Sequence, residues 1–117
     1  MRIVNATRGA VLAKRAWRAV RLKDRLRGLL GRERLEAGEA IYIEPCTSIH
    51  SFFMRFAFDA LFIDRKFRVV HLIENMPPWR ISRWVPRARG VIELPAGTVR
   101  RTLTALQDEI SFIETGE

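Results

Sequence analysis

The 117-residue sequence predicts a small fold of the α+β class that is mostly β: a largely antiparallel barrel or sandwich with two short helices. Short apolar segments bounded by turn residues outnumber segments of helical spacing by roughly six or seven to two. Most of the connections between these segments are short, which favours antiparallel pairing. The length suits a single domain over residues 1–117, and the 48% hydrophobic content is that of a globular protein.

The predicted strands are short apolar segments that end at turn residues or at proline. They cover Arg2–Asn5, Ala10–Ala13, Ala40–Glu44, Phe58–Ile63, Phe67–Ile73, Gly90–Leu94 and Glu109–Ile113. A turn at Ala6–Gly9 joins the first two strands, and Asp64–Lys66 joins the fourth and fifth as a hairpin. Pro45 ends the third strand, because proline cannot donate to a strand ladder.

Two helices are expected. The first covers Val20–Leu30, where leucines recur at spacings of four and three residues. Ala19 extends this apolar stripe backwards and allows a start near Ala16. The second covers Thr98–Leu106, with Thr98 as its capping residue.

Composition excludes several classes of protein. The single cysteine, Cys46, rules out an intramolecular disulfide framework and suits a reducing compartment. The longest apolar stretches are a few residues, against the roughly 20 that a membrane-spanning helix needs. The charged N-terminus lacks the pattern of a secretory signal. We therefore expect a cytoplasmic protein with no membrane span, no metal and no cofactor.

Basic residues dominate two parts of the chain. They exceed acidic residues by nine in residues 1–34 and by seven in residues 65–101, and 18 of the 21 basic residues are arginine. Arginine binds carboxylates and phosphates as a fork, so this bias fits recognition of an anionic group. The alternative is a solvated surface whose arginine content reflects genome base composition.

Three segments, taken together, resemble one known family in their order and spacing. The segments are Arg25–Leu35, Glu44–Val70 and Gly90–Val99. They resemble the domain of unknown function 192 family, which consists of small bacterial and archaeal proteins. The most specific match is an aromatic residue, a methionine, a basic residue and then an aspartate that opens an apolar strand. The matching residues here are Phe53, Met54, Arg55, Asp59 and Phe62.

The sequence departs from the pattern of this family at two places. Ala57 stands where the nearest relatives usually carry proline, and Arg65-Lys66 stands where an Asp-Gly turn is common. The resemblance implies a compact β-rich fold with two short helices. It implies no activity, because none is established for the family.

Asp59 is the first polar residue that needs an explanation, since it lies in a strand expected to be buried. A buried carboxylate requires a partner, and the candidates are Arg55 and the backbone N–H groups of Cys46–Ser51. One interpretation is an ion pair or loop cap that only fixes the fold. The other is a polar anchor at the mouth of a pocket. The residues that would line this pocket are Phe53, Met54 and Phe56.

Trp79-Arg80 and Arg83-Trp84 interleave aromatic and basic side chains in a long loop, Glu74–Arg89. Single-stranded nucleic acid is bound by this combination of residues. No recognised nucleic-acid fingerprint accompanies it. The alternative is a loop whose tryptophans pack back on the domain while its arginines face water.

The leading hypothesis is a non-catalytic binding module for a small anion, a peptide or a partner protein. Its groove would lie between Cys46–Arg55 and Trp79–Arg89 and would be basic. The predicted binding residues are Phe53, Met54, Arg55, Asp59, Trp79, Arg80 and Arg83.

Two other functions compete with this hypothesis. An enzyme or metal site would use Cys46, His50 and Asp59, residue types that ligate zinc or activate a thiolate. His71 could join them, although it lies on the apolar face of its predicted strand. A lone cysteine is more often a small buried hydrophobic residue. A nucleic-acid-binding module is the third possibility.

Overall fold

Eight strands and one helix make up the part of the chain that the structure, a computed structural model, describes: residues 1–21, 24–25 and 31–115. The first four strands are β1 (Arg2–Asn5), β2 (Ala10–Ala13), β3 (Arg15–Ala19) and β4 (Glu39–Ile43). They are followed by β5 (Phe58–Ile63), β6 (Val69–Met76), β7 (Gly90–Pro95), α1 (Thr98–Thr102) and β8 (Ile110–Ile113).

The strands form two sheets. The larger has the order β3-β4-β7-β5-β6, and the smaller has the order β2-β1-β8. Neighbouring strands are antiparallel except β3 and β4, which run parallel. Parallel neighbours need a connection of a dozen or more residues, and residues 20–38 provide it.

One face of the larger sheet packs against the smaller sheet. Tyr42, Leu61 and Ile92 of the larger sheet share a buried cluster with Ile3 and Ile110 of the smaller one. The ring of Tyr42 lies so close to the backbone of β7 that a Cβ at Gly90 would fall 2.5 Å from it. A glycine is therefore required at this strand position.

The other face of the larger sheet is covered by irregular chain. Ile41, Ala60 and Val91 of the sheet form a second buried cluster with Ile49 and Val85, which belong to the connections between strands. The larger sheet thus has a core on each side, which explains why all six residues of β5 are buried.

The mostly β prediction is confirmed, while the barrel alternative is wrong. The described chain forms two separate sheets, and β3 and β6 are the outer strands of the larger one. β1, β2 and β5 have the predicted bounds, and the other predicted strands differ by one to three residues at their ends. β6 shows the largest difference, because it continues to Met76 and so shortens the loop that follows.

The predicted second helix is shorter than expected. α1 ends at Thr102 rather than at Leu106, because Leu103 takes the left-handed conformation with φ 57°. Thr98 does not cap the helix through its side chain. Gly97 occupies the cap position, and the Thr98 hydroxyl donates to the Pro95 carbonyl at 2.7 Å.

The predicted first helix, Val20–Leu30, lies mostly outside the described residues, so one helix is seen in the described chain where two were predicted. Its extension back to Ala16 is wrong, because Ala16 and Ala19 both belong to β3. They are buried on opposite faces of the sheet, Ala16 toward the smaller sheet and Ala19 toward the irregular chain. Because each of the two alanines is buried on a different face of the strand, buried small residues recur at a spacing of three, which is also the spacing of a helix.

Candidate functional site

Two irregular segments, 46–57 and 77–89, lie on the second face of the larger sheet, and we call them together the loop layer. Backbone hydrogen bonds join them directly; the Ser82 N–H, for example, donates to the Ile49 carbonyl at 2.8 Å. Other bonds run from Ser51 to Arg80, from Val85 to Thr47 and from Cys46 to Arg89. The two segments therefore lie side by side, and these bonds close the space where a groove was predicted.

Ser51 holds the two segments of the loop layer together and is fully buried. Its hydroxyl donates to the Pro77 carbonyl at 2.6 Å and accepts from the Arg80 N–H at 2.9 Å. Its own backbone carbonyl accepts from the Trp79 N–H at 2.9 Å. This role of Ser51 cannot be predicted from the sequence, since nothing in a single serine indicates that its partners lie 26 to 29 positions away.

The outer surface of the loop layer carries three aromatic side chains in contact, Phe52, Phe53 and Trp79, which we call the aromatic platform. The Phe53 and Trp79 rings meet edge to face with centroids 4.7 Å apart, and the Phe52 ring is 6.2 Å from that of Trp79. The ring of His50 stacks on Phe52. Phe53 is 71% exposed and Trp79 is 56% exposed, so most of their apolar surface faces solvent.

The backbone that presents the aromatic platform has an unusual conformation. Phe53 and Trp79 both have φ 66°, in the left-handed region that residues with bulky side chains rarely adopt. Such conformations persist only where the surrounding structure enforces them, and they cluster at binding and catalytic sites. The hydrogen bonds from the Trp79 and Arg80 N–H groups to Ser51 hold the backbone of Trp79 in this conformation.

Further apolar and cationic side chains surround the aromatic platform. Ile81 and Trp84 are each about two-thirds exposed, at 68% and 67%. The loop layer holds five arginines and no acidic residue, and all five arginines are exposed: Arg55, Arg80, Arg83, Arg87 and Arg89. Arg89 pairs with Glu44, and Arg55 lies 3.9 Å from Glu33. Within the described chain, the other three form no ion pair.

The remaining predicted pocket residues face the interior. Met54 is buried in the cluster between the loop layer and the sheet, and the half-buried Phe56 packs against that cluster. Phe53, Met54 and Phe56 therefore do not form one pocket wall. Phe53 belongs to the surface, and the other two fix the loop layer to the sheet.

Asp59 is fully buried, and its carboxylate is satisfied by backbone donors rather than by Arg55. One oxygen accepts from the Asn75 N–H and the other from the Val99 N–H, both at 2.9 Å. Asp59 lies opposite Leu94 in the sheet and so faces away from the loop layer, toward the cluster that includes Val99. The predicted Arg55–Asp59 pair is wrong, and so is the expectation that 46–51 supplies the donors.

The residues of the predicted enzyme or metal site do not converge. The Cys46 thiol donates to the Ser48 carbonyl at 3.1 Å, and burial raises its pKa, which disfavours the reactive thiolate. His50 accepts from the Phe52 N–H at 3.2 Å, while Asp59 faces the other side of the sheet. No three His, Cys, Asp or Glu side chains within the described residues lie close enough together to hold a metal ion.

His71 lies apart from these groups, beside Phe62 at a ring-centroid distance of 5.2 Å. Burial lowers its pKa, and the positive charge of Arg83 lowers it further. The imidazole is therefore held in its neutral form at neutral pH.

Glu93 is a buried acidic residue that the sequence analysis did not single out. It lies opposite Ile41 of β4 and Ala60 of β5, so it shares the apolar face beneath the loop layer. It is 4% exposed and has no hydrogen bond or ion pair with any described residue. Burial raises the pKa of Glu93 to about 8. The available signal was one acidic residue inside the otherwise apolar strand Gly90–Leu94.

Comparison with known proteins shows that the chain belongs to the DUF192 family, described as an uncharacterised ACR, whose family model matches residues 3–112. It is 32% identical to a UPF0127 protein of Thermococcus sibiricus over 94% of this chain and 73% of that protein. It is 40% identical to a UPF0127 protein of Pyrococcus horikoshii over 56% of each chain. It thus spans only about half the length of that relative.

Two solved structures share the fold. A protein of unknown function from Novosphingobium aromaticivorans superposes with a TM-score of 0.84 at 19% identity, over 96% of this chain and 84% of that one. A Sinorhizobium meliloti protein, named provisionally as a transcription regulator, gives a TM-score of 0.77 at 24% identity, over 94% and 89%. At these identities the likeness concerns the fold alone. None of the helices in the described residues is long and apolar enough to cross a membrane.

Proposed function

We propose that this member of the DUF192 family is a non-catalytic binding module whose loop layer binds an acidic peptide segment of a partner protein. The observation that carries the proposal is the aromatic platform. Phe53 and Trp79 are held in mutual contact, largely exposed, by a strained backbone. Exposed apolar clusters of this kind are typical of protein-binding surfaces.

The apolar part of the surface supports a protein partner. Binding energy at protein interfaces concentrates in a few aromatic and arginine residues near the centre of the contact. The aromatic platform supplies the aromatic residues, and Ile81 and Trp84 extend the apolar area beside it. The loop layer should lose little conformational entropy when a partner binds, because the hydrogen bonds of Ser51 already fix the backbone that carries Trp79.

The charge of the surface specifies the chemistry of the partner. Arg80, Arg83 and Arg87 are exposed and have no acidic partner in the described chain, and the loop layer itself contains no acidic residue. Guanidinium groups bind carboxylates bidentately, so aspartate or glutamate side chains of the partner complement this surface. We therefore expect a segment with apolar side chains flanked by carboxylates.

The arrangement of the rings favours a peptide over single-stranded nucleic acid. Nucleic-acid platforms leave ring faces open so that successive bases can stack on them. Here the Phe53 ring meets the Trp79 ring edge to face, and the Phe52 ring lies tilted against Trp79 with centroids 6.2 Å apart. Rings that contact each other form one continuous apolar patch, which suits an inserted side chain better than a stack of bases.

Not all of the predicted binding residues have the same role in this proposal. Phe53, Trp79, Arg80 and Arg83 contact the partner, and Arg55 lies at the rim. Met54 anchors the loop layer from beneath, since it is buried in the cluster against the sheet. Asp59 stabilises the fold from the opposite face of the sheet.

The test is a selection from a displayed library of random short peptides, followed by affinity measurements on purified peptides. We expect the selected sequences to combine apolar residues with Asp or Glu. Trp79→Ala should weaken their binding by about tenfold or more, because truncating a central aromatic residue typically costs over 1 kcal/mol. Arg80→Ala combined with Arg83→Ala should weaken binding and reduce its salt dependence.

The matched control is Leu106→Ala, because Leu106 is as exposed as Trp79 but lies outside the loop layer. This variant should bind the selected peptides with unchanged affinity. If the wild type and Trp79→Ala select the same peptides equally well, the aromatic platform is not part of the binding site. An oligothymidylate that binds with steep salt dependence, while no peptide does, would favour the nucleic-acid alternative.

A further inference from the structure

We propose that Glu93 is a proton-binding site that controls the packing of the loop layer on the sheet. With a neutral carboxyl group the loop layer stays in place, and with a carboxylate it separates from the sheet. The aromatic platform would then be presented below the transition and lost above it.

The surroundings of Glu93 suit a neutral acid and not an anion. Its neighbours across the ladder, Ile41 and Ala60, are fully or nearly fully buried apolar residues. Its side chain forms no hydrogen bond with another described residue, in contrast to Asp59, which receives two backbone N–H groups. A buried carboxylate that accepts no hydrogen bond is strongly disfavoured.

The loop layer directly covers the face on which Glu93 lies. Ile49 and Val85 of the loop layer belong to the same buried cluster as Ile41 and Ala60. Cys46 is close enough that a negative charge on Glu93 would raise the pKa of its thiol, although burial is the larger cause. Water can therefore reach the carboxylate if the loop layer moves away.

Separation of the loop layer is the easiest response to ionisation. The other side of Glu93 is the sheet itself, where β7 is hydrogen-bonded to β4 and β5 along its length. The contacts between the sheet and the loop layer are mainly apolar side chains. Regions held in this way open at lower cost than the interior of a sheet. The elevated pKa of Glu93, about 8, places the transition within reach of mild alkaline conditions.

Other titratable and charged groups lie near this face. The described neighbours of this kind are Arg25, Glu39, Cys46, His71 and Arg83. Burial raises the pKa of Cys46 and lowers that of His71, so both stay neutral at mildly alkaline pH. Glu39 is paired with Arg32 at 3.0 Å, and arginine stays charged throughout.

The test follows amide hydrogen exchange of the full chain by mass spectrometry from about pH 6 to about pH 9.5, corrected for the intrinsic pH dependence of exchange. In the wild type, protection of residues 46–57 and 77–89 should fall about tenfold or more around pH 8, while β1, β2 and β8 keep theirs. Glutamine is uncharged and of similar shape, so in Glu93→Gln the residues 46–57 and 77–89 should stay protected from exchange across this pH range. Glu74→Gln, an exposed acid in β6, should behave as the wild type.

Unchanged protection in the wild type, or the same loss in Glu93→Gln, would overturn the proposal. If Glu93→Gln does not fold, the test is a pH titration of the carboxyl ¹³C resonance of Glu93 in the wild type. A midpoint that coincides with the exchange transition supports the proposal, and titration below about pH 6 contradicts it. Only the consequence for partner binding rests on the proposed function, because hydrogen exchange needs no partner. Absence of peptide binding at neutral pH would therefore leave this inference intact.

Discussion

Two buried carboxylates of the larger sheet show how backbone donors decide the state of an acidic side chain. Asp59, on the face toward the smaller sheet, receives two N–H groups at 2.9 Å. Glu93, on the opposite face, receives none from the described chain, and burial raises its pKa to about 8. Asp59 therefore stabilises the fold through its two hydrogen bonds, whereas Glu93 is stable in its buried position as a neutral acid.

Asp59→Asn should destabilise the protein by about 1 to 3 kcal/mol, because one of two hydrogen bonds to the carboxyl group is lost and a backbone N–H is left unpaired. The amide offers one acceptor to two backbone donors, those of Asn75 and Val99. Urea unfolding should show a lower midpoint with an unchanged slope. The exposed Glu109 provides the control, since Glu109→Gln should change the free energy of unfolding by less than about 0.5 kcal/mol. Equal stability of Asp59→Asn and the wild type would contradict the assigned role of Asp59.

The pKa of Glu93 predicts that stability falls as pH rises. An acid whose pKa is raised from 4.5 to about 8 on folding holds its proton in the native state but releases it in the unfolded state across that range. The free energy of unfolding should therefore decrease from about pH 4.5 to about pH 8 and level off above, by a few kcal/mol at 1.36 kcal/mol per pKa unit. Denaturant titrations at several pH values measure this slope. Glu93→Gln should remove most of it, and a slope that persists in this variant would contradict the assignment.

Sequence reasoning predicted that Asp59 is buried and needs a partner, but it could not name that partner. It considered residues within about a dozen positions, whereas the donors are 16 and 40 positions away. Both are backbone groups, which leave no signature in the side-chain sequence. Glu93 escaped notice because one glutamate in a short apolar strand is also compatible with a solvent-facing position.

Among the structural elements, the loop layer is the one that the sequence described least well. The sequence predicts a groove between Cys46–Arg55 and Trp79–Arg89, and the structure places these two segments side by side. Their hydrogen-bonded pairing was not foreseen, because it has neither strand periodicity nor turn signals. Only one isolated bridge, between His50 and Ile81, marks its strand-like character.

Ser51→Ala should weaken the loop layer without unfolding the sheets. The substitution removes the hydroxyl that joins Pro77 to Arg80 and leaves a half-buried carbonyl and a half-buried N–H without this partner. A local loss of about 1 to 3 kcal/mol is expected. Relative to the wild type, this variant should show a larger increase in amide exchange rate in residues 77–89 than in β1 and β8. The control is Ser48→Ala, which removes an exposed hydrogen bond of 3.3 Å to Ser82 between the same two segments and should therefore have a smaller effect. Uniform destabilisation of all elements by Ser51→Ala would argue against an independent loop layer.

The regular elements were easier to predict than their pairing. The alternating and continuous apolar segments gave β1, β2 and β5 with their observed bounds. β3 was missed because its two buried alanines serve the two different cores of the molecule. The parallel pairing of β3 with β4 depends on the long connection between them, most of whose pattern had been interpreted as a helix.

On the scale of the whole molecule, the larger sheet separates two regions with different roles. The smaller sheet and α1 close one side and include the backbone N–H of Val99 that binds Asp59. The loop layer closes the other side and carries exposed aromatic and arginine side chains outward. Composition predicted the mostly β class correctly. It could not distinguish a barrel from two open sheets, because that choice depends on which strands lie at the edges.

The most direct measurement of the central claim uses the three tryptophans as internal reporters. Trp79 and Trp84 lie in the loop layer, whereas Trp17 is half-buried in β3 and contacts Arg32. A synthetic peptide of alternating apolar and acidic residues, titrated into ¹⁵N-labelled protein, should shift the indole N–H resonances of Trp79 and Trp84 and leave that of Trp17 unchanged. A shift of Trp17 alone, or no shift at any peptide concentration, would contradict binding at the loop layer.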